Sequence, residues 1–465
     1  DLLTQLVDKS LVSADPAGSV MRYGMLETVR QYGRNRLRDS GETGETRHRH
    51  ADYFIRIAGH ADQGLREAKQ IESLALLDAE HDNIRAALGW SIEAGEADIA
   101  LNLVGNMGWF WFMRGHWEES WRWLTRAMEL DPGGDPASRA WAITRAGGLQ
   151  LIRGNLVDTI ELVERTLDFY RQQDDKLGIA WCLNLLGQAG TFNQEQFENA
   201  VVLLTESVEV FRSIGDDWGV AWSTRYIGQI VEFQSSYQES YNLQFESTRS
   251  FEAIGDAWNV AHSLYLLGGT ALRHGELESA GECFERSLEN CKRVEDRVIE
   301  AHALGGLAQL ALYRDELEEA EHVFRIALEA LGKIGDEGCV ANVRKNLGEV
   351  KRRLGDFPQA EALLHQSLHG YQKLGVEEGV LLVIERFAAL AGSLGQDRRA
   401  ARLLGASEAC LSAGGYILVP FFRRDHERVA AEARASLGDQ VYERLYAEGA
   451  AMELDEAIHL VDSAK

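Results

Sequence analysis

A period of 40 residues runs through most of this chain and limits it to architectures that repeat. The tripeptide Ile214-Gly215-Asp216 returns as Ile254-Gly255-Asp256 and Ile334-Gly335-Asp336, with Val294-Glu295-Asp296 a degraded copy between them. Glycine pairs seven residues apart recur at Gly108 and Gly115, Gly147 and Gly154, Gly268 and Gly275, and Gly348 and Gly355. A small residue keeps the same phase at Ala200, Ala280, Ala320, Ala360 and Ala400, and four places later comes a bulky apolar one: Leu204, Phe284, Phe324, Leu364 and Leu404. Ile160 and Gln244 break these two rules.

Within a unit the apolar residues are spaced by three and four, as in Leu264, Leu267 and Leu272 followed by Phe284 and Leu288, which is the spacing of one helical face. No proline occurs between 137 and 357, so helices there run uninterrupted. The spacing predicts pairs of helices that cross where the first glycine of each pair faces alanine. The second glycine ends helix A with positive φ, and the Phe or Leu fills the groove beneath the next unit. One helical pair cannot bury its own face, so the stack must supply the core. Gly at the eighth place, Ala at the twentieth and a large apolar residue at the twenty-fourth resemble the tetratricopeptide pattern over eight units spanning 98–417. The family's Trp at the fourth place and its late Pro are missing, and the unit is longer than usual.

Charge narrows the partners. Lys plus Arg number 48 against 73 Asp plus Glu, a net charge of −25. Residues 1–60 carry nine Lys/Arg and eight Asp/Glu, so the remainder holds −26 and would repel a phosphate backbone. Nucleic-acid binding is therefore not expected of this chain. The five cysteines, Cys182, Cys283, Cys291, Cys339 and Cys410, show no metal spacing. They read as reduced thiols of a cytoplasmic protein. The sequence shows neither a signal peptide nor an apolar run near 18 residues.

The first 58 residues read differently. Leu2, Leu3, Leu6 and Val7 suggest the end of an apolar-faced helix. Ser10–Val12 and Val20–Met25 suggest two short strands around the turn residues Asp15-Pro16-Ala17-Gly18, and a helix is expected over Glu27–Asp39. That is the layout of the closing part of a winged helix. Residues 6–12 (LVDKSLV), 22–42 (RYGMLETVRQYGRNRLRDSGE), 47–54 (RHRHADYF) and 76–90 (LLDAEHDNIRAALGW) resemble a family of bacterial regulators, the STAND-class signal-transducing ATPases and LuxR-type regulators. So do 401–411 and 435–460 towards the other end.

The resemblance implies the C-terminal part of such a regulator, a sensing arm cut just after its ATPase module. The expected fold is all-α: a tetratricopeptide-like solenoid, a right-handed superhelix of helical hairpins, with a small N-terminal winged-helix remnant. The expected divisions are 1–58 for that remnant and a connecting helix, 59–97 for a helical linker, 98–417 for the repeats and 418–465 for capping helices. No G-x-x-x-x-G-K-[ST] motif is present, so no cofactor is expected here, and ATP would belong to the parent's nucleotide-binding module.

Catalytic constellations are also missing from the sequence. His48, His50 and His60 lack the three- or four-residue spacing of zinc ligands on a helix, and no G-x-S-x-G or H-E-x-x-H occurs. Neither an enzyme nor a metal site is expected. A binding surface is. Early positions of successive A helices present Trp141, Trp181, Trp222, His262 and His302, followed by Asn184, Arg225 and Tyr265, then Gln188, Gln229 and Glu232. His302 and Gln309 lead on to Asn342 in the same ladder. Rings and amides on the inner wall of a groove suit a protein or peptide partner, or a small effector. The same tryptophans could equally be packing against the preceding helix B. The leading expectation is a sensing arm, and the alternative is a constitutive scaffold for protein partners that does not switch.

Overall fold

The computed structural model describes residues 2–17, 20–130, 135–148, 156–191, 194–234, 236–414, 418 and 420–462. Gly18, Pro132 and Gly154 lie outside them. The chain divides into two compact units, one of residues 1–63 and 75–154, the other of residues 64–74 and 155–465.

In the second unit six complete hairpins follow one another at the predicted phase. Their A helices are Lys176–Gly190, Asp217–Phe233, Ala257–His274, Arg297–Tyr313, Glu337–Arg353 and Glu377–Ser393. Their B helices are Phe197–Ser213, Tyr237–Ile254, Leu277–Val294, Leu317–Ile334, Phe357–Leu374 and Asp397–Ala413. Helix Leu156–Gln172 precedes them, and Pro420–Leu437, Asp439–Ala450 and Leu454–Asp462 follow. The architecture is a tetratricopeptide-like α-solenoid.

The Ile-Gly-Asp marker is a joint with two functions. Gly255 ends a B helix in the left-handed region at φ 84°, and Asp256 then caps the next A helix by accepting the Asn259 backbone N–H at 2.9 Å. Asp216 and Asp336 do the same for Gly219 and Cys339. In the degraded copy Glu295 must take the left-handed conformation itself, at φ 55°. In four of the six hairpins a serine, Ser207, Ser247, Ser287 or Ser367, donates to the helix A carbonyl of Ala180, Ala221, Ala261 or Ala341 at 2.7–2.9 Å.

The close helix crossings are filled by the bulky residue, and the expected alanine is not the nearest neighbour. A Cβ on Gly268 would lie 2.8 Å from the Phe284 ring, and one on Gly306 in the next hairpin 2.5 Å from the same ring. Gly348 stands in the same way 3.0 Å from Leu364. Phe284 therefore sits between glycines of two consecutive A helices, one turn along helix B from Ala280. This contact joins hairpin to hairpin.

In the first unit the short helix Leu2–Asp8 leads to an antiparallel pair, Ser13–Ala17 with Val20–Gly24, and then to helix Glu27–Asp39. The first strand begins later than the sequence suggests. Ser10 takes a positive φ, and the N–H groups of Leu11 and Val12 turn back to the Leu6 carbonyl, so 10–12 finish the helix. Helices Thr43–Gly64, Gln70–Ala94, Ala97–Met113 and Trp117–Leu130 follow, of which Gln70–Ala94 begins in the other unit. Trp111 is fully buried and donates to His81 at 3.3 Å, so this indole forms core with helix Gln70–Ala94. Beside it lies Glu119. Burial alone would raise its pKa, but hydrogen bonds from Arg85 and Trp123, with the charge of His81, bring it down to about 2.

Two measurements test these assignments. Glu295→Gly should raise stability by about 0.5–1 kcal/mol in urea denaturation, because it relieves a left-handed non-glycine residue. An unchanged midpoint would contradict that cost. The Glu119 carboxylate is stabilised in the folded state, so its contribution is complete above about pH 4.5 and vanishes as pH falls through about 2. Glu119→Gln should therefore cost about 2–3 kcal/mol at pH 7, with the gap to the native chain closing over that acid range.

Candidate functional site

The ladder of side chains picked out by sequence phase splits into a buried part and a part that borders a cavity. Trp181 and Trp222 are each 2% exposed and Arg225 is 0% exposed. Trp222 stacks on Trp218 with ring centroids 5.0 Å apart, and the Arg225 guanidinium lies 4.2 Å from the Trp222 ring. Trp181 meets Phe211 edge-on. These positions are filled by protein. Trp141, in the first unit, donates to Asn106 at 3.2 Å and carries Arg145 over its ring.

The polar members mostly connect one A helix to the next. Gln188 donates to Asn184, whose own amide reaches Ser223 at 2.8 Å. Arg225 donates to Asn259 at 2.9 Å, and Asn259 donates to Asp256 at 2.7 Å. Asp256 is fully buried and also accepts from Trp218 at 2.7 Å and from Gln70 at 2.6 Å. Gln70 belongs to the 64–74 segment and takes the Trp258 backbone N–H on its other end. Burial pushes the Asp256 pKa up, opposed by the hydrogen bonds from Asn259, Trp218 and Gln70. Glu232 accepts from Arg273 at 2.6 Å. Gln229 is half-buried.

Space opens further along. A cavity of about 120 Å³ is bordered by Tyr265 and Arg273 of helix Ala257–His274, His302 and Gln309 of Arg297–Tyr313, and Cys339, Asn342 and Asn346 of Glu337–Arg353. The rings of Tyr265 and His302 lie 5.4 Å apart on its wall. Asn346 is 2% exposed, and its side-chain oxygen is buried without a hydrogen-bond partner. His262, one turn before Tyr265, also buries Nδ1 without a partner, and its pKa is driven well down by desolvation, then by the charges of Arg225 and His302. The cavity thus gathers four residues of the sequence ladder, Tyr265, His302, Gln309 and Asn342, with Arg273, Asn346 and Cys339, which periodicity did not single out.

A second, wider space of about 630 Å³ lies between the later A helices and helix Pro420–Leu437. Phe421 of that helix stacks on Tyr313 at 3.9 Å with Arg353 above it. Asp425, Arg352, Arg386 and Glu349 form a buried charge cluster beneath. The C-terminal segment is therefore more than an end cap: its first turn packs against residues of three A helices.

Comparison with known proteins agrees with this geometry. Residues 259–333 and 340–374 match two models described as tetratricopeptide repeat. The chain is thus a helical repeat protein containing tetratricopeptide repeats. Over 129 residues it is 40% identical to proteins of Mycobacterium tuberculosis and Mycobacterium bovis that are named as HTH-type transcriptional regulators. The match covers 28% of this chain and 14% of those relatives. In fold it is similar to a Pyrococcus horikoshii STAND protein with a tetratricopeptide repeat sensor. The TM-score is 0.55 at 14% identity, covering 96% of this chain and 60% of that one. It is also similar to the Rap conjugation gene regulator of plasmid pLS20, whose structure is a complex with the Phr* peptide. There the TM-score is 0.51 at 13% identity, covering 70% of this chain and 96% of that one. No described helix is long and apolar enough to cross a membrane.

Removing a packed member of the ladder should act on stability. Trp222→Ala is expected to cost about 3–5 kcal/mol in urea denaturation, while Gln229→Ala stays within about 0.5 kcal/mol. Equal effects would mean that burial does not separate the two classes of residue.

Proposed function

We propose that this chain is the sensing arm of a bacterial STAND-type regulator, and that it recognises a peptide, a protein segment or a small effector at the Tyr265–Asn346 cavity. One observation carries the reading: a space of side-chain size has a mixed polar and apolar wall that includes a buried Asn346 oxygen with no partner. An unpaired buried acceptor costs about 1–3 kcal/mol, which a ligand donor would recover. About 120 Å³ suits one amino-acid side chain or a small fragment, since a cavity of roughly 150 Å³ accepts benzene.

The likeness to a STAND protein with a repeat sensor and to regulators named as HTH-type supports placing the arm in a signalling protein of the cytoplasm. The N-terminal helix–hairpin–helix is read as the winged-helix remnant. In this reading the chain binds and does not catalyse, and ATP is held by the nucleotide-binding module of a longer protein. A ligand changes the output only through different affinities for two states of that protein. The competing reading, a scaffold that tethers partners without switching, predicts binding without any change in nucleotide state.

Thermal shift and tryptophan fluorescence of the purified chain against peptides and metabolites provide the test. A saturable response that weakens at least about tenfold in Asn346→Leu and in Tyr265→Leu is expected. A ligand whose affinity survives both changes does not use this cavity, and the proposal then fails.

A further inference from the structure

The joint between the hairpins that begin at Arg297 and Glu337 holds a set of donors found together nowhere else among the described residues. The His302, Asp336 and Cys339 ligand atoms all lie within 4.8 Å of one another. His302 comes from one A helix. Asp336 is the N-cap of the next, and Cys339 is the residue whose N–H that cap holds at 2.9 Å. His302 Nε2 and Asp336 Oδ2 are 2.9 Å apart, and His302 and Cys339 border the cavity described above.

We propose that His302, Asp336 and Cys339 form a metal site that takes Zn(II). A thiolate and an imidazole select a borderline-soft ion over Mg²⁺ or Ca²⁺, and three protein donors leave one tetrahedral position for water or a group from a ligand in the cavity. Thiolate and carboxylate together neutralise the dication, so a half-buried ion adds no net charge. Bond lengths of about 2.0–2.3 Å put tetrahedral donors roughly 3.3–3.8 Å apart. To reach that, His302 Nε2 and Asp336 Oδ2 must part slightly from 2.9 Å, and any pair near the 4.8 Å limit of the trio must close by about 1 Å. On binding, the Cys339 thiol releases its proton to solvent, and the His302 proton moves from Nε2 to Nδ1, freeing the Nε2 lone pair.

A purely structural reading treats His302–Asp336 as one more cross-repeat hydrogen bond, like Trp218–Asp256 and Trp258–Asp296. The phase of the repeat argues against that being the whole account. At the place of Cys339 the other aspartate-capped A helices of the six hairpins carry Gly178, Gly219, Asn259 and Ile299, so a soft donor stands only where an imidazole also reaches the cap. The inference goes beyond the sensing reading and does not need it, because the donors alone make the site.

The metal is its own probe. The chain is stripped with a chelator and titrated with Co(II) and then Zn(II), following the thiolate-to-cobalt charge-transfer band and competing with a chromogenic chelator. One equivalent bound at micromolar affinity or tighter, with the band abolished in Cys339→Ala, is expected. Affinity should fall at least about tenfold in His302→Gln and in Asp336→Asn, which retains an N-cap side chain. Cys410→Ala should leave the band unchanged, and far-UV dichroism confirms that each variant is folded. A native chain without the thiolate band, or a band of equal strength in folded Cys339→Ala, overturns the site. Failure of peptides to bind has no bearing on this result.

Discussion

The glycines on successive A helices leave a space that no single hairpin can fill, and the rest of the second unit depends on how it is filled. Phe284 enters it from helix Leu277–Val294 and contacts Gly268 on its own hairpin and Gly306 on the next. The 40-residue phase preserves this contact, so a length change inside a unit would displace every later ring from its pair of glycines. The serines that bond from helix B to helix A carbonyls fix the rotation of each pair, and the left-handed glycine followed by a capping aspartate fixes the next start. Stability in such an array is a sum over neighbouring interfaces. A single weak joint therefore lowers local stability without dissolving the fold.

The aspartate at each joint also explains why so many polar side chains are buried. Asp216, Asp256, Asp296 and Asp336 cap helices with one oxygen, and in three of them the other is reached from the preceding A helix: Trp218 to Asp256, Trp258 to Asp296 and His302 to Asp336. A cap that also accepts across the interface couples the start of one helix to the position of the one before. Around Asp256 this grows into a fully buried network that includes Asn259, Arg225 and Gln70. Charges at such depth are tolerated only with their partners in place, so the network specifies one arrangement of these hairpins more than it adds stability.

Much of this is legible in the sequence because the period states which residues must meet. The glycine pairs, the Phe or Leu and the helix limits all follow from spacing. What spacing cannot say is how deep a side chain lies. Trp222 and Arg225 occupy inner-wall positions by phase, yet each is covered by residues 4–40 places away, such as Trp218 and Asn259, whose sizes the period does not constrain. The joint aspartates could have been found, since Asp after Gly before an apolar run is an N-cap signal. The His302–Asp336–Cys339 group could not, because its members are 34 and 3 residues apart and belong to two helices. Only the stacking distance makes them neighbours. The first strand starts later than its sequence suggests for a similar reason: Leu11 and Val12 have strand propensity, but a helix carbonyl nearby offers their N–H groups a partner first.

The cavity lies beyond the last tryptophan. All eleven tryptophans precede residue 259, and the second residue of helix A is Trp218, Trp258, Val298 and Gly338 in successive hairpins. Each indole fills the space beside its helix and spans the distance to the next aspartate. Beyond Trp258 the side chain at that place is too small for either task. Asp336 is then reached by His302, one turn further along the helix, and His302 borders the cavity with Tyr265, Asn342 and Asn346. The backbone period continues unchanged through this point, because the glycine–Phe284 and glycine–Leu364 contacts do not involve that position. The array thus keeps its register through this joint, and the partly open space there is bordered by side chains of three successive A helices.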